Sequence, residues 1–210
     1  MQNIHYGVLQ CYGMKKPHWS CWRHLNYLFY QQHLSGLRGT LLDVGVGKRH
    51  LKNLFTGFNY KGVDWAGDAD VLCDLNAEWP FQKEKFDVII CSNTLEHIKN
   101  PHFLAENMLK SLRGTLLGTV PYITKLHQEP HDYFRYTPYA LMDLLEGVKI
   151  YPLGSAIDAL HLIRKKVAHD MQPIFKNRLW HFVNKLTDRI EPKLDPSWQM
   201  PLGYWFMVKK

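Results

Sequence analysis

Leu41-Leu42-Asp43-Val44-Gly45-Val46-Gly47 is an apolar run that meets an acidic residue and then two glycines. Three apolar positions and one acid followed by glycine read as a strand entering a tight turn. A strand that ends in glycines lets a ligand lie directly against the main chain, because no Cβ stands in the way. A nucleotide-like molecule is the natural candidate, and spacing separates the forms it could take. A dinucleotide fingerprint needs a third glycine three residues after the second, and that place is His50. A phosphate loop needs Gly-Lys followed by Ser or Thr, but Gly47-Lys48 is followed by Arg49. Both phosphate readings fail, and a nucleoside without phosphate contacts at this turn is left.

Outward from that stretch, residues 40–120 alternate short apolar runs with amphipathic ones, the pattern of strands and helices taking turns in an α/β sheet. Strands are expected at 41–44, 60–63, 71–73, 86–91, 115–120, 148–153 and 203–209. Asn100 and Pro101 read as the cap and first residue of a helix carrying Phe103, Leu104, Met108, Leu109 and Leu112. Thr137 and Pro138 open a second helix, which Gly147 stops. Trp19, Trp22, Leu25, Leu28 and Phe29 suggest a leading helix packed on the core or over a site. A helical stretch from 156 to 190, broken near Pro173, carries an apolar stripe beside the basic stripe Arg178, His181, Lys185 and Arg189. One domain follows, with a helical cap at 1–38, a core at 39–153, a basic helical insertion at 154–202 and a last strand at 203–210.

Composition sets the outer bounds. With 46% hydrophobic and 21% charged residues, the chain can bury enough apolar surface to exclude disorder over most of its length. No apolar run approaches the roughly 20 residues that span a bilayer, and residues 1–16 lack a secretory pattern, so a cytoplasmic location is expected. Cys11, Cys21, Cys73 and Cys91 are scattered, with no C-x-x-C pair, and read as free thiols. No metal-ligand set is expected. The net charge is +7, and residues 161–210 hold 10 basic and 4 acidic side chains, so nearly all the excess lies in the tail. Such a tail suits an anionic acceptor or a membrane surface by electrostatic steering, although a basic stripe is more often the solvated flank of a packed helix.

Asp64 ends the second strand about 21 residues after Asp43, where a carboxylate can accept hydrogen bonds from both hydroxyls of a ribose. Asp74 follows the third strand and could hold an adenine amino group, and Asn93 to Leu95 sit just past the fourth. In a parallel sheet all of these fall at the carboxyl edge, where open α/β folds bind ligands.

Leu41 to Gly47, Gly62-Val63-Asp64, Cys73-Asp74-Leu75, Phe86 to Cys91 and Asn93 to His97 resemble the successive motifs of the class I S-adenosylmethionine-dependent methyltransferases. The resemblance covers about residues 38–150 and the last strand. It implies a Rossmann-like, seven-stranded, mostly parallel sheet with helices on both faces and the last strand antiparallel. Extra helices would stand at the N-terminus and between the last two strands. S-adenosylmethionine is the implied cofactor, with contacts carried over to Asp43, Gly45, Gly47, Asp64, Trp65, Asp74, Leu75, Asn93, Thr94 and Leu95. The chain departs from the commonest first motif at Val46, where Cys or Ala is frequent, and at Arg49, where a third glycine is usual.

Gly47-Lys48-Arg49 and Glu129 to Pro138 resemble a subgroup associated with lipopolysaccharide and other surface glycans. That narrower resemblance implies O-methylation of a sugar hydroxyl, for example on a deoxyhexose such as rhamnose, in a glycan or its lipid-linked precursor. A sugar hydroxyl needs a general base, and His131 leads, with His127, Asp132 and His97 as the other candidates. A plainer role for His97 is to fix the loop after the fourth strand by a hydrogen bond. Tyr133, Arg135 and Tyr136 are candidates for acceptor binding, and Tyr133 and Tyr136, like Phe134, could equally cover the core. Nucleic acid is disfavoured, because Ser92-Asn93-Thr94-Leu95 lacks the Pro-Pro-aromatic signature of amino-methylating enzymes and Pro-Cys is absent. The alternatives are another acceptor on the same fold, or a non-catalytic partner protein with a vestigial site.

Overall fold

A computed structural model describes residues 20–154 and 200–210, together with positions 156, 158, 159, 162 and 163. Its strands are β1 (Gly39–Val44), β2 (Phe58–Asp64), β3 (Val71–Leu72), β4 (Phe86–Ser92), β5 (Leu112–Pro121), β6 (Lys149–Leu153) and β7 (Gly203–Lys209). They form one sheet in the order β3-β2-β1-β4-β5-β7-β6. β1 to β5 pair in parallel, and β7 runs antiparallel to both of its neighbours, as the motifs implied. The chain winds outward from β1 through β2 to β3, then returns to place β4 on the other side of β1. That reversal opens a crevice at the carboxyl ends of β1 and β4, the place where such sheets bind ligands.

Alternation along the strands divides the core in two. Leu42, Val44, Ile89, Cys91, Leu116 and Phe206 face the layer built by α2 (Pro101–Ser111) and α3 (Pro138–Leu144). Leu41, Val88, Ile90, Leu117, Trp205 and Met207 face α1 (Cys21–Leu34), which contributes Leu25, Phe29, Tyr30 and Leu34. Phe29 stacks on Trp205 with centroids 4.5 Å apart. Helices therefore cover both faces. Each begins at a capping side chain: Ser20 accepts from the Arg23 amide, Asn100 from Phe103 and Thr137 from Ala140.

Local differences from the sequence expectations have physical reasons. Leu112, expected on the apolar face of the helix, instead starts β5 and pairs with Phe86, and the helix stops at Ser111. The Ser111 hydroxyl is claimed there by Trp79 Nε1 at 2.9 Å and by the Phe81 carbonyl at 3.1 Å. β1 starts earlier than expected because the Asp87 carboxylate accepts from the Thr40 amide at 2.7 Å. Between β1 and β2 the described chain forms turns and one 3₁₀ segment, Lys52–Leu54. Cys73 and Cys91 are buried free thiols. The stripes expected at 156–190 lie almost wholly outside the described residues. Among the described residues, no helix is long and apolar enough to cross a membrane.

Candidate functional site

The two glycines of the β1 turn do different work. Gly45 has φ +77°, its amide donates to Val63 O at 2.9 Å, and a Cβ built there would lie 2.2 Å from Thr94 Oγ1. Thr94 fills that space and donates its hydroxyl to Val44 O at 2.9 Å, so β1 and the turn after β4 are locked side by side. Gly47 has φ +51° with open space where its Cβ would be. Its amide donates to Asp64 Oδ2 at 2.8 Å, and Trp65 N donates to Asp64 Oδ1 at 2.7 Å. One carboxylate at the end of β2 thus holds the turn after β1. Arg49 has φ +50°, the left-handed conformation that a glycine supplies freely and that costs another residue about 1–2 kcal/mol. Its guanidinium offsets this by lying 3.5 Å from both Asp68 and Asp70 and over the Tyr60 ring. The departure at Arg49 therefore keeps the backbone course of the turn.

Asp43 lies beneath the turn. It is buried, accepts from Tyr60 Oη at 3.1 Å, and burial raises its pKa to about 7. A carboxyl whose folded pKa exceeds its unfolded value favours the folded state most below the unfolded pKa. That contribution is lost as pH rises through the folded one. Asp43→Asn should therefore flatten the decline of stability between about pH 4 and 7 and raise stability at pH 8 by as much as ~4 kcal/mol. Thermal melts of both proteins from pH 4 to 8 check this, and parallel curves would rule out a buried, titrating Asp43.

The remaining cofactor candidates divide. Trp65 is 68% exposed beside Asp64. Asp74 is exposed, and hydrogen bonds from the Asn76 backbone and side chain hold its carboxyl below the usual range. Asn93 has φ +53°, donates to Thr119 O and accepts from Trp22 Nε1 of α1 at 3.0 Å, so the leading helix reaches the site as well as the core. The side chains of Leu75 and Leu95 are buried in the core, which leaves their backbone atoms as the groups that could meet a ligand. The Leu95 carbonyl already accepts from Tyr136 Oη at 3.0 Å.

The segment after β5 pairs its residues differently from their order in the chain. His131 and Asp132 diverge. Asp132 takes two guanidinium bonds from Arg135, at 2.6 and 2.7 Å, which hold its carboxyl well below the usual range. It also lies 3.2 Å from His127 Nδ1. The Glu96 carboxylate and then Asp132 push the His127 pKa up against the opposing effect of burial. His131 is exposed, with Nδ1 2.9 Å from Tyr133 Oη and its ring edge-on to Trp65 at 5.5 Å. His97 Nδ1 lies 2.5 Å from the His131 carbonyl, the loop-fixing role considered for it. Of the other acceptor candidates, half-buried Arg135 pairs with Asp132, and Tyr136 lies in the core with its hydroxyl on the Leu95 carbonyl. Tyr133 stays partly exposed, with Lys99 Nζ 5.5 Å from its ring centre.

A family model described as a methyltransferase domain matches residues 21–156. The chain belongs to the methyltransferase-domain family. No curated protein is similar enough to count as a relative. Among solved structures, this methyltransferase resembles a SAM-dependent methyltransferase from Archaeoglobus fulgidus, with TM-score 0.56 and 19% identity over 89% of this chain and 94% of that one. It also resembles phosphoethanolamine N-methyltransferase 2 of Haemonchus contortus, with TM-score 0.56 and 15% identity over 88% and 52% of the two chains. A third, the [4+2]-cyclase SpnF, has TM-score 0.57 and 15% identity over 91% and 84%. These likenesses establish the fold, which hosts more than one reaction.

As a class I methyltransferase the protein uses S-adenosylmethionine, and its crevice fits that molecule. Open main chain at Gly47 stands beside the Asp64 carboxylate, which has no salt-bridge partner among the described residues. Each Asp64 oxygen accepts one amide and keeps lone-pair capacity for a ribose hydroxyl. Sequence reasoning missed the meeting of Glu96, His97 and His127. β4 and β5 are adjacent strands, so the segments leaving their carboxyl ends run side by side, and an acid and two imidazoles 30 residues apart converge.

Proposed function

We propose that this methyltransferase methylates a hydroxyl group, most suitably on a sugar, at the mouth of the Asp64 crevice. The observation that carries the reading is the position of His131, an exposed imidazole set against Trp65, the residue next to the carboxylate that holds the glycine turn. S-adenosylmethionine supplies a methyl group on a positively charged sulfur, already activated for in-line displacement. The protein's part is then to align the acceptor, exclude water and take one proton. In the tautomer whose Nδ1–H donates to Tyr133 Oη, the Nε2 lone pair of His131 is left to accept the proton of a hydroxyl. The exposed Trp65 ring offers the flat apolar surface on which the C–H face of a sugar rests. The resemblance of Glu129 to Pro138 to glycan-modifying enzymes supports the same acceptor class, and the basic tail suits an anionic nucleotide-sugar or lipid-linked glycan near a membrane surface.

Incubation with isotopically labelled S-adenosylmethionine and a panel of nucleotide-sugars and glycans, read by mass spectrometry, should give labelled O-methyl sugar. Label found only on amines would overturn the acceptor. His131→Ala should lower turnover about 10²- to 10⁴-fold. The melting shift given by S-adenosylmethionine should remain, at roughly 2.7 kcal/mol for a concentration 100 times its dissociation constant. Unchanged turnover would move the base elsewhere, and no melting shift in the wild type would favour a vestigial site.

A further inference from the structure

Glu96 has no exposed surface, and neither of its carboxylate oxygens meets a hydrogen-bond donor. His97 Nε2 is likewise buried without a hydrogen-bond partner. Buried polar atoms are almost always paired, and a dry carboxylate is among the costliest to leave alone. Glu96 Oε1 stands 3.7 Å from His97 Nε2 and 3.8 Å from His127 Nε2, and one ligand atom from each of the three residues lies within 4.8 Å of the others. Those separations are too long for hydrogen bonds. They approach the spacing of about 3.3 to 3.5 Å between ligands held 2.0 to 2.1 Å from a tetrahedral zinc ion.

The far side of each imidazole is fixed in the way that metal ligands are. His97 Nδ1 faces the His131 carbonyl at 2.5 Å, which can only accept, so its neutral ring carries the proton on Nδ1 and presents a lone pair at Nε2. His127 Nδ1 faces Asp132 Oδ2 at 3.2 Å and Lys125 O at 3.3 Å, again acceptors alone. Asp132 is itself clamped by Arg135, giving a carboxylate–imidazole arrangement behind the donor nitrogen.

We propose that Glu96, His97 and His127 form a divalent transition-metal site, with zinc the best suited of the common ions. Two imidazoles and one carboxylate match zinc chemistry, whereas magnesium and calcium take oxygen ligands. The three donors leave a fourth position for water. Bound metal joins the turn after β4 to the segment after β5 and so braces the loop that carries His131. The binding itself requires no methyl donor.

The test uses the full chain, loaded with zinc, freed of excess ion and analysed by elemental mass spectrometry, with cobalt(II) loading as a spectroscopic probe. About one metal per chain and the visible band of four-coordinate cobalt are expected. Glu96→Gln and His127→Gln should each lose the metal and the band, while His102→Gln on the exposed side of α2 should keep both. Glu96→Gln also removes a buried charge. In metal-free buffer it should melt no lower than wild type, whereas added zinc should raise the wild type alone by several degrees. Less than about a tenth of an equivalent of metal in the wild type, or equal loading of wild type and Glu96→Gln, would overturn the site.

Discussion

Asp64→Ala should weaken S-adenosylmethionine binding at least 100-fold and lower the melting temperature of the ligand-free protein. The second effect comes from the chain's own amides. Asp64 Oδ2 accepts from Gly47 N and Oδ1 from Trp65 N, both part-buried bonds, so alanine would leave two amide donors without their acceptor. Each lost bond costs about 0.5–1.5 kcal/mol. The first effect would come from the ribose: two charge-assisted hydrogen bonds, each worth about 1.5 to 3 kcal/mol, multiply to roughly a hundredfold or more. The turn that presents Gly47 would also lose its anchor, so the two losses should move together. Calorimetric titration with S-adenosylhomocysteine and a thermal melt without ligand measure them separately. Near-normal affinity would refute the ribose role, and an unchanged melt would refute the anchoring role.

What could be read from the chain alone was whatever local chemistry fixes. Leu41 to Gly47 declares a strand and turn because apolar residues and glycine act on the backbone where they stand, and Asn100 and Thr137 cap helices through amides three residues away. The motif order then sufficed for the sheet, including the antiparallel last strand. What escaped was pairing across the fold. The Trp22–Asn93 bond spans 71 residues, and nothing in either neighbourhood marks the other as its partner. Asp43 reads as a ligand contact in the motif, yet its side chain turns inward to Tyr60. His131 and Asp132 are adjacent, but they point to different partners because Arg135 captures the carboxylate. The imidazole that Asp132 does meet is His127, five residues away.

Gly45→Ala should cost the ligand-free protein about 3–6 kcal/mol, a fall in melting temperature on the order of 10 °C or more. Its Cβ would stand 2.2 Å from Thr94 Oγ1, 2.6 Å from Thr94 Cγ2 and 2.9 Å from Thr94 Cβ, with φ at +77°. The clash falls on a β-branched side chain that is stiff about χ1 and whose hydroxyl is already bonded to Val44 O, so it cannot swing aside without breaking that bond. Thr94→Ala in the same chain should restore only part of the loss, because the Thr94 Cβ contact and the left-handed backbone both remain. Gly47→Ala separates the roles of the two glycines. Its φ of +51° carries a backbone cost of about 1–2 kcal/mol, and its Cβ would meet nothing of the protein within 4 Å. If bound adenosine approaches the turn through that open space, the cost of a side chain there falls on the ligand. Gly47→Ala should therefore lose far more in ligand affinity than in melting temperature, and Gly45→Ala should show its loss before any ligand is added. A Gly45→Ala protein that melts with the wild type would mean that Thr94 does not fill the space beside the turn. A Gly47→Ala protein that binds normally would mean that the ligand lies elsewhere than against this stretch of bare backbone.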